Sequence, residues 1–153
     1  MTDTIDLDAK KALILKQACF SQFNDNETEE LAGMLAEKHF APGETIVTEG
    51  DRVDSIFLIV DGTVDIQNIT YNPDYTQTAT SVATLGPGAA IGLSETGFYS
   101  LTGKRTATVV AITDVFALRL SVAAFNGFAL SHSRVTQVMR AHATAILSGR
   151  SVG

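Results

Sequence analysis

Cysteine is almost missing from this chain, tryptophan is missing altogether, and proline occurs only three times in 153 residues. A single cysteine, Cys19, excludes an internal disulfide framework and suits a reducing compartment. No stretch approaches the roughly eighteen uninterrupted apolar residues of a membrane-crossing helix. Residues 1–11 carry Asp and Lys where a secretory signal would be apolar. Basic residues are few and scattered: 11 Lys and Arg stand against 17 Asp and Glu, for a net charge of −6. A nucleic-acid surface would need them gathered on one face. A small anionic ligand is still allowed, but it needs a dedicated local cation, since no general positive field would attract it. The expectation is a cytoplasmic protein with no membrane span and no nucleic-acid partner.

What the chain does have is a change of period along its length. Residues 8–20 place Leu13, Ile14 and Phe20 among lysines, as an amphipathic helix would. A second helix is expected after Asn26, with Glu29 three residues on as in a capping box and Leu31, Met34 and Leu35 on one face. Residues 40–43 (Phe-Ala-Pro-Gly) end that helical region. Short β-branched runs follow at 45–48, 55–60 and 63–69, punctuated by Gly43, Gly50 and Gly62. Asp61-Gly62 between two such runs predicts a two-residue hairpin. Residues 68–81, polar and threonine-rich, predict a long hairpin tip before the sheet resumes at 81–85. A last strand pair is expected at 106–112 and 115–120, turning at Thr113-Asp114. Ser121 predicts the cap of a short helix through Leu130, and 133–147 a longer one with Val135, Val138, Met139, His142 and Ile146 at helical spacing. Many short strands with helices only at the ends predict a mainly β protein, an antiparallel, jelly-roll-like β-roll with flanking helices.

The run from Phe40 to Ile66, FAPGETIVTEGDRVDSIFLIVDGTVDI, closely resembles the cyclic nucleotide-binding domain family, which includes the catabolite activator protein, protein kinase A regulatory subunits and cyclic-nucleotide-gated channels. Its turn glycines match Gly43, Gly50 and Gly62. The resemblance extends from about Leu15 through the C-terminal helix. It implies one domain over residues 1–153, with N-terminal helices at 1–40, a β-roll at 41–120 and C-terminal helices at 121–148. A phosphate-binding cassette is implied at about 86–109. Within it, Glu95 followed by Arg105 and Thr106-Ala-Thr108-Val is similar to the family's glutamate, arginine and small-residue run.

What the resemblance implies is chemically coherent. A cyclic phosphodiester carries one negative charge, which the planar fork of Arg105 can meet with two charge-assisted bonds. A ribose 2′-hydroxyl wants a carboxylate acceptor, the role implied for Glu95. Backbone amides of a short helix after Glu95 would point at the phosphate. Gly92, Ser94, Thr96 and Gly97 complete the implied ligand-binding set. Thr106 can offer its hydroxyl to the phosphate or to the 2-amino group of a syn guanine, and Thr108 is either a wall residue or a base contact. The C-terminal pair of helices would close over the base as a lid, with Val135, Val138 and Met139 as apolar cover. The implied ligand is cAMP or cGMP, with cAMP favoured and no metal. Occupancy would be reported to a protein effector or to a longer parent polypeptide, since few residues remain after Leu147.

One departure from the family stands out. There the glutamate directly follows the glycine of an aromatic- or isoleucine-glycine pair, whereas here Leu93-Ser94 intervene between Ile91-Gly92 and Glu95. Either the turn bulges and Glu95 still reaches the ribose, or Leu93 takes the ribose position and the fold serves as a protein-interaction module without nucleotide. A cupin-like metalloenzyme is a remoter reading, needing histidines that converge from strands. His39, His132 and His142 are expected at a helix end, a helix start and within a helix. No Ser-His-Asp or Cys-His arrangement is discernible, so no enzyme is expected. Two phosphate-loop motifs nearly occur, at 86–92 and 97–104, and both fail on spacing.

Overall fold

The structure, a computed structural model, describes residues 5–94, 97–98 and 103–152. Helix α1 (Leu7–Lys16) and a short 3-10 turn (Ala18–Phe20) precede α2 (Asp25–Ala32). The capping box of α2 is built by Asn24 and Glu27, two residues before the expected Asn26 and Glu29. Both asparagines are followed three residues on by glutamate, so the local pattern suits either register. The earlier one gives Glu27 a second partner, Arg134.

Residues 36–40, expected within the helical N-terminus, form strand β1 (Ala36–Phe40) instead. It pairs antiparallel with β10 (Val115–Ser121), from Ala36 opposite Arg119 to Phe40 opposite Val115. The His39 ring stacks on that of Phe116 across the pair, with centroids 4.7 Å apart. A tertiary partner here outweighs the local sequence preference.

Eight strands form two four-stranded antiparallel sheets. One has the order β1, β10, β3 (Ser55–Asp61), β6 (Ala90–Ile91). The other has the order β2 (Thr45–Val47), β9 (Thr108–Ala111), β4 (Val64–Tyr71), β5 (Gln77–Leu85). A small hairpin of β7 (Leu93–Ser94) and β8 (Gly97–Phe98) stands apart.

Two expected hairpins turn out to be corners between the sheets. β3 and β4 flank Asp61-Gly62 but belong to different sheets, and so do β9 and β10 around Thr113-Asp114. The two corners lie against each other, with Thr63 N–H donating to Thr113 Oγ1 and Ile112 N–H to the Thr63 carbonyl. Gly62 (φ +98°) has no room for a side chain, because a Cβ would run into the Asp114 carbonyl. Its glycine therefore reflects close backbone approach as well as turn geometry. Where 68–81 was expected to be a loop, β4 and β5 run on as a true hairpin and only residues 72–76 turn.

β3 is buried on both faces, which explains its unbroken apolar run. Ile56 and Leu58 point to the helices and join Ile14, Phe20, Leu31, Phe128 and Val135 in one core. Phe57 and Ile59 point between the sheets and meet Val64, Val109 and Ala117 in a second. α3 (Val122–Ser131) starts at Ser121, whose side chain accepts from Ala124 N–H as expected, and α4 (Ser133–Val152) follows. Val135 is fully buried in the helical core, and Val138 and Met139 pack against it.

Candidate functional site

A cleft of about 440 Å³ opens in the roll. Its apolar lining includes Val47 from β2, Ile66 from β4, Leu85 from β5, Ile91 from β6 and Val109 from β9. Gly92, Leu93, Arg105 and Thr106 complete one end. This volume lies within the range usual for small-molecule sites, about 300–1,000 Å³.

Arg105 is the buried cation of the cleft, only 7% exposed. Its backbone is clamped on both sides, with Arg105 N–H donating to the Asp51 carbonyl and its own carbonyl accepting from Gly50 N–H. One arm of the guanidinium is occupied: Nη2 donates to the Ser55 carbonyl at 2.8 Å and to Ser55 Oγ at 3.3 Å. The same nitrogen lies 3.7 Å from Asp54 Oδ1, and the other oxygen of that carboxylate lies 3.6 Å from Arg119 Nη2. The other arm, Nη1, is buried with no hydrogen-bond partner among the described residues. It faces Gly92, where a Cβ would come within 2.9 Å of it. Gly92 has φ +86°, so both backbone conformation and space call for glycine there. Burial pulls the guanidinium pKa down and the Asp54 carboxylate pulls it back up, yet an arginine stays charged at any ordinary pH. A desolvated N–H with no acceptor is costly, and an anion entering the cleft would remove that cost.

The other expected site residues divide. Thr106 is exposed on the cleft wall, beside Arg105. Thr108 is buried in β9, and its hydroxyl accepts from Glu49 N–H at 2.9 Å, so it ties strands together and does not line the cleft. Glu49 completes that tie by accepting from Ile69 N–H at 3.0 Å. Ser94 and Gly97 pair across the β7–β8 hairpin. Gly97 therefore belongs to a strand, where a short helix was expected after Glu95. Glu95 and Thr96 lie outside the described residues. Lys104 is exposed, bridged to Arg52. Residues 92–93 leave β6 directly into this hairpin, which takes up the extra Leu93-Ser94 and brings Leu93 to the cleft.

Among the described residues no helical side chain lines the cleft. Val135, Val138 and Met139, expected to cover a base, are committed to the helical core instead. Sequence reasoning did not single out Asn68, which stood where the expected strand 63–69 and hairpin tip 68–81 overlap and is found on β4 facing the cleft. Strand alternation from Val64 through Ile66 puts Asn68 on the same face.

No metal-binding group of three or more His, Cys, Asp or Glu comes together among the described residues. His39 lies on β1 and not at a helix end, His132 caps α3, and His142 lies within α4. Burial pushes the Cys19 thiol up to about 12, which makes it a poor nucleophile. No described helix is long and apolar enough to cross a membrane.

Comparison with known proteins agrees with this architecture. The fold is similar to the N-terminal domain of a transcriptional regulator from Streptomyces coelicolor, with 24% identity, a TM-score of 0.74, and coverage of 91% of this chain and 92% of that one. It is similar to the regulatory domain of Toxoplasma gondii PKA, co-crystallised with cAMP, with 16% identity and a TM-score of 0.68. That match covers 84% of this chain and 46% of the Toxoplasma chain. It is also similar to the sensor domain of the transcriptional regulator DNR from Pseudomonas aeruginosa, with 14% identity, a TM-score of 0.71 and coverage of 94% and 92%. No curated protein sequence matches. The family model for the cyclic nucleotide-binding domain matches residues 37–132, well over half the chain, and the chain belongs to that family.

Proposed function

We propose that this domain is a non-enzymatic sensor that binds one purine cyclic nucleotide, cAMP in preference to cGMP, in the cleft of its roll. The observation that carries this reading is the Nη1 of Arg105 beside Gly92, buried and without a partner among the described residues. One arm of the guanidinium is held by Ser55 while the other is left for an acceptor, so a monoanionic phosphodiester gains a preoriented, charge-assisted donor. Apolar walls suit the face of a base. Thr106 stands beside Arg105 to offer its hydroxyl, Gly92 gives the anion close access to the backbone, and Glu95 is the proposed acceptor for the ribose 2′-hydroxyl. Ser94, Thr96 and Gly97 are the further residues proposed for the ligand-binding set.

A route to the helices starts at the same arginine. Ser55 and Asp54, which hold Arg105, directly precede the core of β3, and the Asp54 carbonyl accepts from Val122 N–H at 2.9 Å, at the first residue of α3. Pulling Arg105 toward an anion therefore bears on the start of α3. Occupancy would be signalled by movement of α3 and α4, which needs ligand contacts that differ between the two arrangements. The effector would be a protein partner or a longer parent chain, in the cytoplasm.

Calorimetry tests the reading. One site per chain is expected for cAMP, with 5′-AMP weaker because its second charge meets no second cation. Equal or tighter binding of 5′-AMP, or no binding of either cyclic form, would favour the interaction-module alternative.

A further inference from the structure

The cleft has two walls of different character. Arg105 belongs to the wall of β3 and β6, held by Ser55 and facing Gly92. The opposite wall is β4 and β5. There Ile66, Val82 and Leu85 are apolar, and Asn68 alone among that wall's lining residues carries a polar side chain. Asn68 shares the cleft-facing side of β4 with Ile66, two residues before it. Asparagine is a poor strand former, and the Asn68 amide makes no hydrogen bond to any described residue. A β-bulge shapes the same ledge. Ile66 pairs with Ala83 and Gln67 with Ser81, which leaves Val82 unpaired and lining the cleft. Bulges commonly re-aim a side chain in this way.

We infer that Asn68 reads the edge of the ligand's base and selects adenine over guanine. This rests on the cyclic nucleotide reading above. A ligand anchored by its phosphate on Arg105 and spanning the cleft presents its base to the β4–β5 wall, with Val82 against the ring. An asparagine amide sets an acceptor beside a donor, which matches the amino group and N7 of adenine. Guanine shows two acceptors on that edge, so one amide atom is left opposed. Thr106, the other neutral polar side chain of the lining, can donate or accept and so does not discriminate in this way.

The test titrates the full chain and its Asn68→Val variant with cAMP, cGMP and the cyclic 3′,5′-monophosphate of purine riboside, which lacks the amino group. Valine is well suited to a strand and the position is exposed, so the variant is expected to keep its melting temperature. The wild type is expected to prefer cAMP about three- to tenfold, the scale of a solvent-accessible hydrogen-bond pair. Asn68→Val should bring cAMP down to the level of the other two, which move less than about twofold. A margin that survives in the variant, an equal loss for all three ligands, or a wild type that prefers cGMP overturns the inference while leaving cyclic nucleotide binding in place. A wild type that binds none of the three removes the functional reading and the inference with it.

Discussion

Arg105 and Glu27 are both charged and both almost fully buried, yet the molecule completes one and leaves the other open. Glu27 Oε1 accepts from Asn24 N–H at 2.8 Å, closing the capping box of α2, and from Arg134 Nη1 at 2.6 Å, fastening α2 to α4. Half of the Arg134 side chain remains in water, so the pair is formed at modest desolvation cost. Arg105 has the reverse arrangement. Its partner carboxylate, Asp54, is two-thirds exposed and 3.7 Å away, and one guanidinium nitrogen has no acceptor among the described residues. A buried charge whose bonds are all made serves structure. One left short of an acceptor is the observation on which the proposed ligand site rests.

The sharpest way to break this comparison is to remove each charge and follow stability and ligand affinity together. Arg105→Ala should lower cyclic nucleotide affinity by roughly 3–5 kcal/mol, since it leaves the phosphate desolvated and unpaired. It should change unfolding free energy by less than about 1.5 kcal/mol, because one buried donor without an acceptor is lost along with the Ser55 bonds. Arg105→Lys should recover only part of the affinity, because an ammonium cannot bond Ser55 and the anion in one plane. Calorimetry and urea unfolding on the same samples separate the two effects. If the alanine variant mainly loses stability, Arg105 is structural and the comparison collapses.

Glu27→Ala should behave in the opposite sense. It removes the cap bond and a charge-assisted bond, at a cost of roughly 2–3 kcal/mol in unfolding free energy. Affinity for the nucleotide should shift by less than about twofold, since Glu27 is remote from the cleft lining. A large loss of affinity would instead show that the α2–α4 fastening sets the state of the cleft.

The smallest effect concerns the same helical end. His132 Nδ1 lies 3.0 Å from the Phe128 carbonyl and Nε2 3.1 Å from Glu30 Oε2, so both contacts are bonds only for the doubly protonated ring. The Phe128 carbonyl and then Glu30, with Glu27 beyond it, raise the imidazole pKa above its ordinary value. This contribution is therefore fully present below about pH 6.5. It is lost as pH rises through the higher folded-state value. Urea midpoints between pH 6 and 8 should fall slightly in the wild type, and His132→Ala should remove this part of the slope. An unchanged slope would show that neither contact depends on the proton.

Local chemistry was legible in the sequence. Ser121 caps α3 because a hydroxyl before an apolar helix has few better uses. Gly43, Gly50 and Gly62 all adopt positive φ, as turn glycines should. The β-branched run at 55–60 is a strand as expected, and Arg105 was singled out by the resemblance of residues 95–109 to the family's cassette. What lay beyond reach depended on partners far away in the chain. Asp61-Gly62 has the composition of a hairpin and acts as a corner, because β3 pairs with β10 while β4 pairs with β5 and β9. Residues 36–40 become a strand only because β10 offers an edge. Val135, Val138 and Met139 have the spacing of a covering helix, but spacing does not say which surface is covered, and Phe20, Leu31 and Phe128 claim Val135 for the helical core. Turn and cap preferences act over three or four residues and are written in composition. Sheet membership, the face a helix buries, and the one unbonded nitrogen of Arg105 follow from contacts between distant segments, and only the folded chain decides them.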